Sequence, residues 1–212
     1  GSGGVPLLTG TSIYQEELEK LIAKISGMDD TILFSSGYTA NLGVISGLIR
    51  PNNLIIHDKL DHASLLDGTV MSGAKMIRYK HGDINDLERL LKDNSPQYPN
   101  GILVVTDGVF SMDGDIAKLP QILEITRKYD AILLVDEAHA TGVIGDKGAG
   151  TLSHYGITDR KNIILTGTLS KAIGTVGGYI TASQDVIDYL RIYARLSLRH
   201  ISEPTRLRRI SY

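Results

Sequence analysis

The stretch Asn162-Ile163-Ile164-Leu165-Thr166-Gly167-Thr168-Leu169-Ser170-Lys171-Ala172-Ile173-Gly174 decides how the chain is read. Its first part is an apolar run of strand length, and its second part is hydroxyls and glycines around one lysine. The carboxyl end of a buried strand is an unusual place for a solvated charge. It suits an amine that must act as a nucleophile, because desolvation there favours the neutral form. Taken alone, the stretch reads better as a strand-end lysine reaching solvent. The rest of the chain separates the two.

Working outward, strand and helix patterns alternate. Ser12-Ile13-Tyr14-Gln15 has the form of a capping box before a helix that Gly27 stops. Thr31–Phe34 reads as strand and Tyr38–Leu48 as helix. Asn53–Ile56 (strand), Ala63–Met71 (helix), Lys75–Tyr79 (strand) and Asp83–Leu91 (helix, capped by Asp83) follow. Gly101–Thr106, Ala131–Val135, Asn162–Leu165 and Gly178–Thr181 are further strands, with helices over Leu119–Tyr129 and Asp185–Arg195. Continuously apolar strands between helices predict an α/β fold of three layers, a mostly parallel sheet flanked by helices.

In such folds ligands bind outside the carboxyl ends of the strands. Five of those ends carry polar residues: Ser35, Ser36, Gly37 and Tyr38; His57, Asp58 and His62; Asp107, Gly108 and Ser111; Asp136, Glu137 and His139; Thr166, Thr168, Ser170 and Lys171. Hydroxyls, glycines, acids, imidazoles and one lysine thus meet on a single rim.

Composition narrows the chemistry. The 212 residues are 42% hydrophobic and 22% charged, with net charge −2, which gives no basic surface for nucleic acid. There is no cysteine, so disulfides and thiolate metal sites are excluded and a cytoplasmic setting is expected. The longest apolar runs, such as Ala131–Val135, are far too short to span a membrane. Asp136-Glu137-Ala138-His139 has the look of a helicase acidic box, but no Gly-Lys dipeptide exists to make the phosphate loop. No G-x-G-x-x-G follows a strand, and Asp136 with His139 is too small a set for a metal site.

Pyridoxal phosphate uses all the parts. It needs a lysine for a Schiff base, an acid for its ring nitrogen and backbone donors for its phosphate. Lys171, Asp136 and the helix start at Ser36-Gly37-Tyr38 answer these in turn, with Thr168 and Ser170 as added hydroxyls.

Six spaced motifs then carry a resemblance. They are Gly1-Ser2-Gly3-Gly4, Phe34-Ser35-Ser36-Gly37-Tyr38-Thr39-Ala40-Asn41, Asp61-His62-Ala63-Ser64, Asp107-Gly108-Val109-Phe110-Ser111-Met112-Asp113-Gly114, Asp136-Glu137-Ala138-His139-Ala140-Thr141-Gly142 and Thr168-Leu169-Ser170-Lys171. Together they resemble the α-oxoamine synthases, pyridoxal-phosphate enzymes of aminotransferase fold type I that include 8-amino-7-oxononanoate synthase, glycine C-acetyltransferase and serine palmitoyltransferase. The resemblance implies catalytic roles for Lys171, Asp136, His139 and His62. It implies that His62 stacks on the cofactor ring, that Ser111 and His139 bond its phenolic oxygen, and that Ser36, Gly37, Tyr38 and Thr168 hold its phosphate. It also implies condensation of an acyl-CoA with a small amino acid, loss of carbon dioxide, and a homodimer. The alternatives are a plain aminotransferase, which shares the lysine, aspartate and sheet, and a non-catalytic truncated piece.

His57 and His81 match no motif, and Asn41 reads as packing. Gln15 stands where many members have histidine. Residues 1–196 are expected to be the cofactor-binding large domain. The start at Gly1 and the arginine-rich change of character after Leu196 suggest a piece of a longer chain, with 197–212 an irregular tail.

Overall fold

The computed structural model describes residues 11–99 and 101–194. The Gly1–Gly4 motif and the expected tail therefore lie outside the described residues. Helix α1 spans Ile13–Ser26 and begins with the capping box: the Ser12 hydroxyl accepts from the Gln15 amide, and the Gln15 side chain accepts from the Ser12 amide. Gln15 thus has a local task of its own. Gly27 ends the helix in the left-handed region at φ 66°, where a side chain would be strained.

Strand β1 (Asp30–Phe34) leads into α2 (Gly37–Leu48), β2 (Leu54–Asp58), α3 (Ala63–Ser72) and β3 (Lys75–Tyr79). Then come α4 (Ile84–Asn94), β4 (Ile102–Asp107), α5 (Leu119–Lys128) and β5 (Ile132–Asp136). The short α6 (Thr151–His154), β6 (Ile163–Thr168), β7 (Gly178–Ala182) and α7 (Gln184–Tyr193) complete the set. The expected order of elements holds throughout. The turns at Asp146–Gly148 and α6 have no apolar period that would have announced them.

The seven strands form one sheet in the order β1-β7-β6-β5-β4-β2-β3. The pairs from β3 to β6 are parallel, while β7 runs antiparallel to both β6 and β1. The sheet is mostly parallel, as expected, with one reversed strand that a five-residue apolar run gave no means to foresee. Every residue of β2, β4, β6 and β7 is buried, the signature of a sheet covered on both faces. The core runs continuously from Ile32 and Phe34 through Ile55, Leu103, Leu134 and Ile164 to Leu190. Edge strand β3 instead exposes Lys75 and Met76, which discourages pairing with another chain.

Candidate active site

The parallel strands β4, β5 and β6 end side by side, and β1 and α2 close the group. In register, Asp107 faces Asp136 across β4–β5 and Asp136 faces Thr166 across β5–β6. The loops that follow bound a cavity of about 240 Å³ whose lining includes Lys171, Asp136, His139, His62, Asn41 and Asp107. Ser36, Gly37, Tyr38, Thr168 and Ser170 line it as well. Ser111 lies outside that lining, exposed in the turn four residues beyond the end of β4.

Asp136 is buried, and both of its oxygens accept hydrogen bonds. Asn41 Nδ2 donates to Oδ2 at 2.7 Å and the Ala138 amide donates to Oδ1 at 2.9 Å. Asn41 is therefore part of the site. Its partner lies 95 positions away, so no local pattern could announce it. The same Nδ2 donates to Ser64 Oγ at 2.9 Å, and Ser64 Oγ lies 2.7 Å from His62 Nδ1. His62 caps α3 and is otherwise exposed.

Lys171 Nζ is 2.8 Å from Nε2 of half-buried His139. Burial, and after it the Lys171 cation, lower the pKa of His139, so its ring is neutral at neutral pH. Lys171 itself is exposed in this chain, which corrects the expectation of a desolvated amine. It sits three residues past β6 and lines the cavity.

At the other end of the cavity α2 begins. Ser36 caps it: its hydroxyl accepts from the Thr39 amide, and its own amide donates to Thr39 Oγ1. The amide of Ser36 is thus already committed, and the amides of Gly37 and Tyr38 are the first-turn donors without a partner in the helix. A side chain at Gly37 would place its Cβ 2.9 Å from Thr168 Cβ, so only glycine lets α2 approach β6 this closely. Thr168 donates to the Gly177 carbonyl at 3.1 Å and lies 2.8 Å from Ser170 Oγ. Tyr38 is half exposed and donates through its hydroxyl to Asp67 at 2.7 Å.

Two further acids stand at the rim. Asp107 is buried, and burial together with the negative charge of Asp136 pushes its pKa up to about 8. Its Oδ1 has no hydrogen-bond partner among the described residues. At neutral pH it is a carboxylic acid beside a carboxylate, a role the sequence had not assigned it. Glu137 is also buried, with its pKa raised to about 7 by burial, and it accepts from the amide and hydroxyl of Thr151, which ties the 142–151 loop to β5.

His57 and His81 are structural, as their lack of motif suggested. His57 Nδ1 is 2.8 Å from Asp61 and its Nε2 is 2.8 Å from Thr69 Oγ1. Burial lowers His57 to about 3 and raises Asp61, so the fold disfavours the charged form of both partners in this contact. His81 bridges Asp58 and Asp115.

The family described as "Aminotransferase class I and II" matches residues 2–206. The chain belongs to the class I and II aminotransferases. Within them it is 46% identical over 204 residues to "8-amino-7-oxononanoate synthase 1" of Bacillus subtilis (strain 168), covering 96% of this chain and 51% of that one. It is 47% identical over 191 residues to a "Putative 8-amino-7-oxononanoate synthase" of Trichodesmium erythraeum, covering 90% and 48%. Among solved structures it is similar to a serine palmitoyltransferase from S. paucimobilis with a bound PLP–myriocin adduct, with TM-score 0.86, 34% identity, and coverage of 95% and 50%. These relatives are α-oxoamine synthases, in agreement with the six motifs. This aminotransferase-family chain spans about half the length of each.

Proposed function

We propose that this chain is the cofactor-binding part of a pyridoxal-phosphate-dependent C-acyltransferase, of the 8-amino-7-oxononanoate synthase or glycine C-acetyltransferase type. The overall reaction joins a small amino acid to the acyl group of an acyl-CoA, releasing coenzyme A and carbon dioxide and leaving an aminoketone. One observation carries the reading: a lysine, a buried carboxylate, an imidazole and an open helix start line one cavity at the carboxyl ends of the strands.

The residues present fit the cofactor. Asp136 offers a buried carboxylate, Asn41 Oδ1 and Asp107 Oδ1 are buried without partners among the described residues, and a side chain at Gly37 would fill the cradle beside Thr168. When bound, pyridoxal phosphate supplies an electron sink for the pair released at the substrate α-carbon. Lys171 would hold its aldehyde and, once freed, take the α-proton as general base. Asp136 would pair with the ring nitrogen, its position preset by Asn41 and Ala138, so that little reorganisation is needed as charge develops. The Gly37 and Tyr38 amides, with Ser170 and Thr168, would receive the phosphate at the positive end of α2. His62 would lie against the ring, and His139 and Ser111 would serve its phenolic oxygen.

Residues 1–196 form the large domain on this reading, and the enzyme works in the cytoplasm as a homodimer. Among the described residues no helix is long and apolar enough to cross a membrane. The test is thiol release from acyl-CoA by the full-length protein. Release that depends on an added amino acid supports the proposal. Amino-group transfer to a keto acid without thiol release contradicts it and points to a plain aminotransferase.

A further inference from the structure

We propose that Asn41 and Ser64 are positioning residues that hold the His62 ring, in its neutral form, in a single tautomer with the proton on Nε2. Asp136 sets the direction of the hydrogen bonds. Its Oδ2 is 2.7 Å from the Asn41 side chain, and a carboxylate oxygen can only accept, so Asn41 must turn its amide nitrogen toward it. The opposite flip would set Asn41 Oδ1 against Oδ2, two acceptors at contact distance. With that orientation fixed, the second proton of Nδ2 goes to Ser64 Oγ at 2.9 Å.

Ser64 Oγ then accepts from Asn41 and has one proton left. The nearest remaining acceptor is His62 Nδ1 at 2.7 Å. The backbone amide of Ser64 points at the same nitrogen from 3.3 Å. A ring nitrogen that receives two donors carries no proton, so in the neutral ring the proton resides on Nε2. Direction therefore passes along one chain, from Asp136 through Asn41 and Ser64 to His62.

Burial gives the chain its force. Asn41 is 3% exposed and Ser64 fully buried, so water cannot substitute for either partner. Helices α2 and α3 that carry them are packed without slack, since a Cβ at Gly68 would meet the Asn41 carbonyl at 3.1 Å. The result is that His62 meets the cavity as a flat ring with an Nε2–H donor, its Nδ1 withdrawn from chemistry. The tautomer is independent of any ligand; only its use, against a bound ring, rests on the proposed function.

The experiment is nitrogen NMR of the chain labelled at histidine, with His62 assigned by its loss in His62→Gln, recorded before and after addition of pyridoxal phosphate. The expected spectrum shows His62 with Nδ1 unprotonated and Nε2 protonated in both samples. Asn41→Ala and Ser64→Ala should each bring the two nitrogen shifts toward each other as the tautomers mix, and Ser64→Thr, which keeps the hydroxyl, should restore the separation. A wild-type His62 protonated on Nδ1 overturns the proposal. So does an Asn41→Ala or Ser64→Ala variant with an intact backbone spectrum and an unmoved His62. If Asn41→Ala does not fold, the wild-type assignment and the Ser64 pair decide alone. Failure of pyridoxal phosphate to perturb any signal would count against the proposed function and leave the tautomer result standing.

Discussion

Two cavities of similar size sit at opposite ends of β5 and β6, about 240 Å³ at the carboxyl ends and about 280 Å³ at the amino ends. The second is lined by Met28, Ile132, Ile163 and Val186 with Asp29, Arg160 and Asn162. Its polar groups are spent on the fold: Arg160 donates to the carbonyls of Gly27 and Ile157, and Asp29 accepts from the Gln184 amide. None of its lining residues has a buried polar atom without a partner among the described residues, whereas Asn41 and Asp107 each leave one at the carboxyl end. Volume does not separate the two ends; unspent polar capacity does. Parallel strands explain the asymmetry, because each carboxyl end delivers its next loop residues to the same rim.

The sharpest way to break the comparison is Asp136→Asn in the full-length enzyme. Turnover should fall by about 10²–10³, the scale of losing one preorganised electrostatic partner. A loss under tenfold would remove the carboxyl end's claim to special status.

Asp107→Asn should separate the two ends through pH. In the fold Asp107 keeps its proton up to about 8, while its unfolded counterpart ionises near the ordinary 3.8. The folded state therefore binds more protons across that window, and stability declines as pH rises from about 4 to about 8. The amide variant lacks this decline. Its stability relative to wild type should rise by about 1.4 kcal/mol for each pH unit between pH 5 and pH 8, the linkage slope of one proton held only by the folded wild type. Melting at both pH values checks it, and an unchanged difference would contradict the assignment of a protonated Asp107.

A smaller effect is expected at the cradle. Gly37→Ala forces α2 away from Thr168 and should weaken pyridoxal phosphate binding about tenfold, or roughly 1.4 kcal/mol. Fluorescence titration measures it. The smallest change belongs to the other end: Asn162 has φ 59°, so Asn162→Ala should cost about 1 kcal/mol of stability. Cofactor affinity should stay unchanged there, and a shared loss would tie the two cavities together.

Much of this contrast was legible in the chain. Asp136 and the Ser36-Gly37-Tyr38 turn stand at the ends of apolar runs, and His62 and Lys171 in the loops just beyond them, so the strand-end rule placed all four on one rim. What the chain concealed depends on neighbours distant in sequence. Asn41 read as packing because its partner Asp136 is on a different strand end, and Asp107 had no role until its register with Asp136 was known. The reversal of β7 left no mark in Gly178–Thr181, since direction is not written in a buried strand's composition. The exposure of Lys171 depends on what covers the rim, which the motif around it does not specify.

The central claim is that Lys171 is the amine that holds pyridoxal phosphate. The direct measurement is to add the cofactor, reduce with borohydride, digest, and map the modified peptide by mass. The account predicts a cofactor-derived mass on Lys171, absent from Lys171→Ala. The same reducible adduct surviving in Lys171→Ala, or mapped to a different lysine in the wild type, would contradict it.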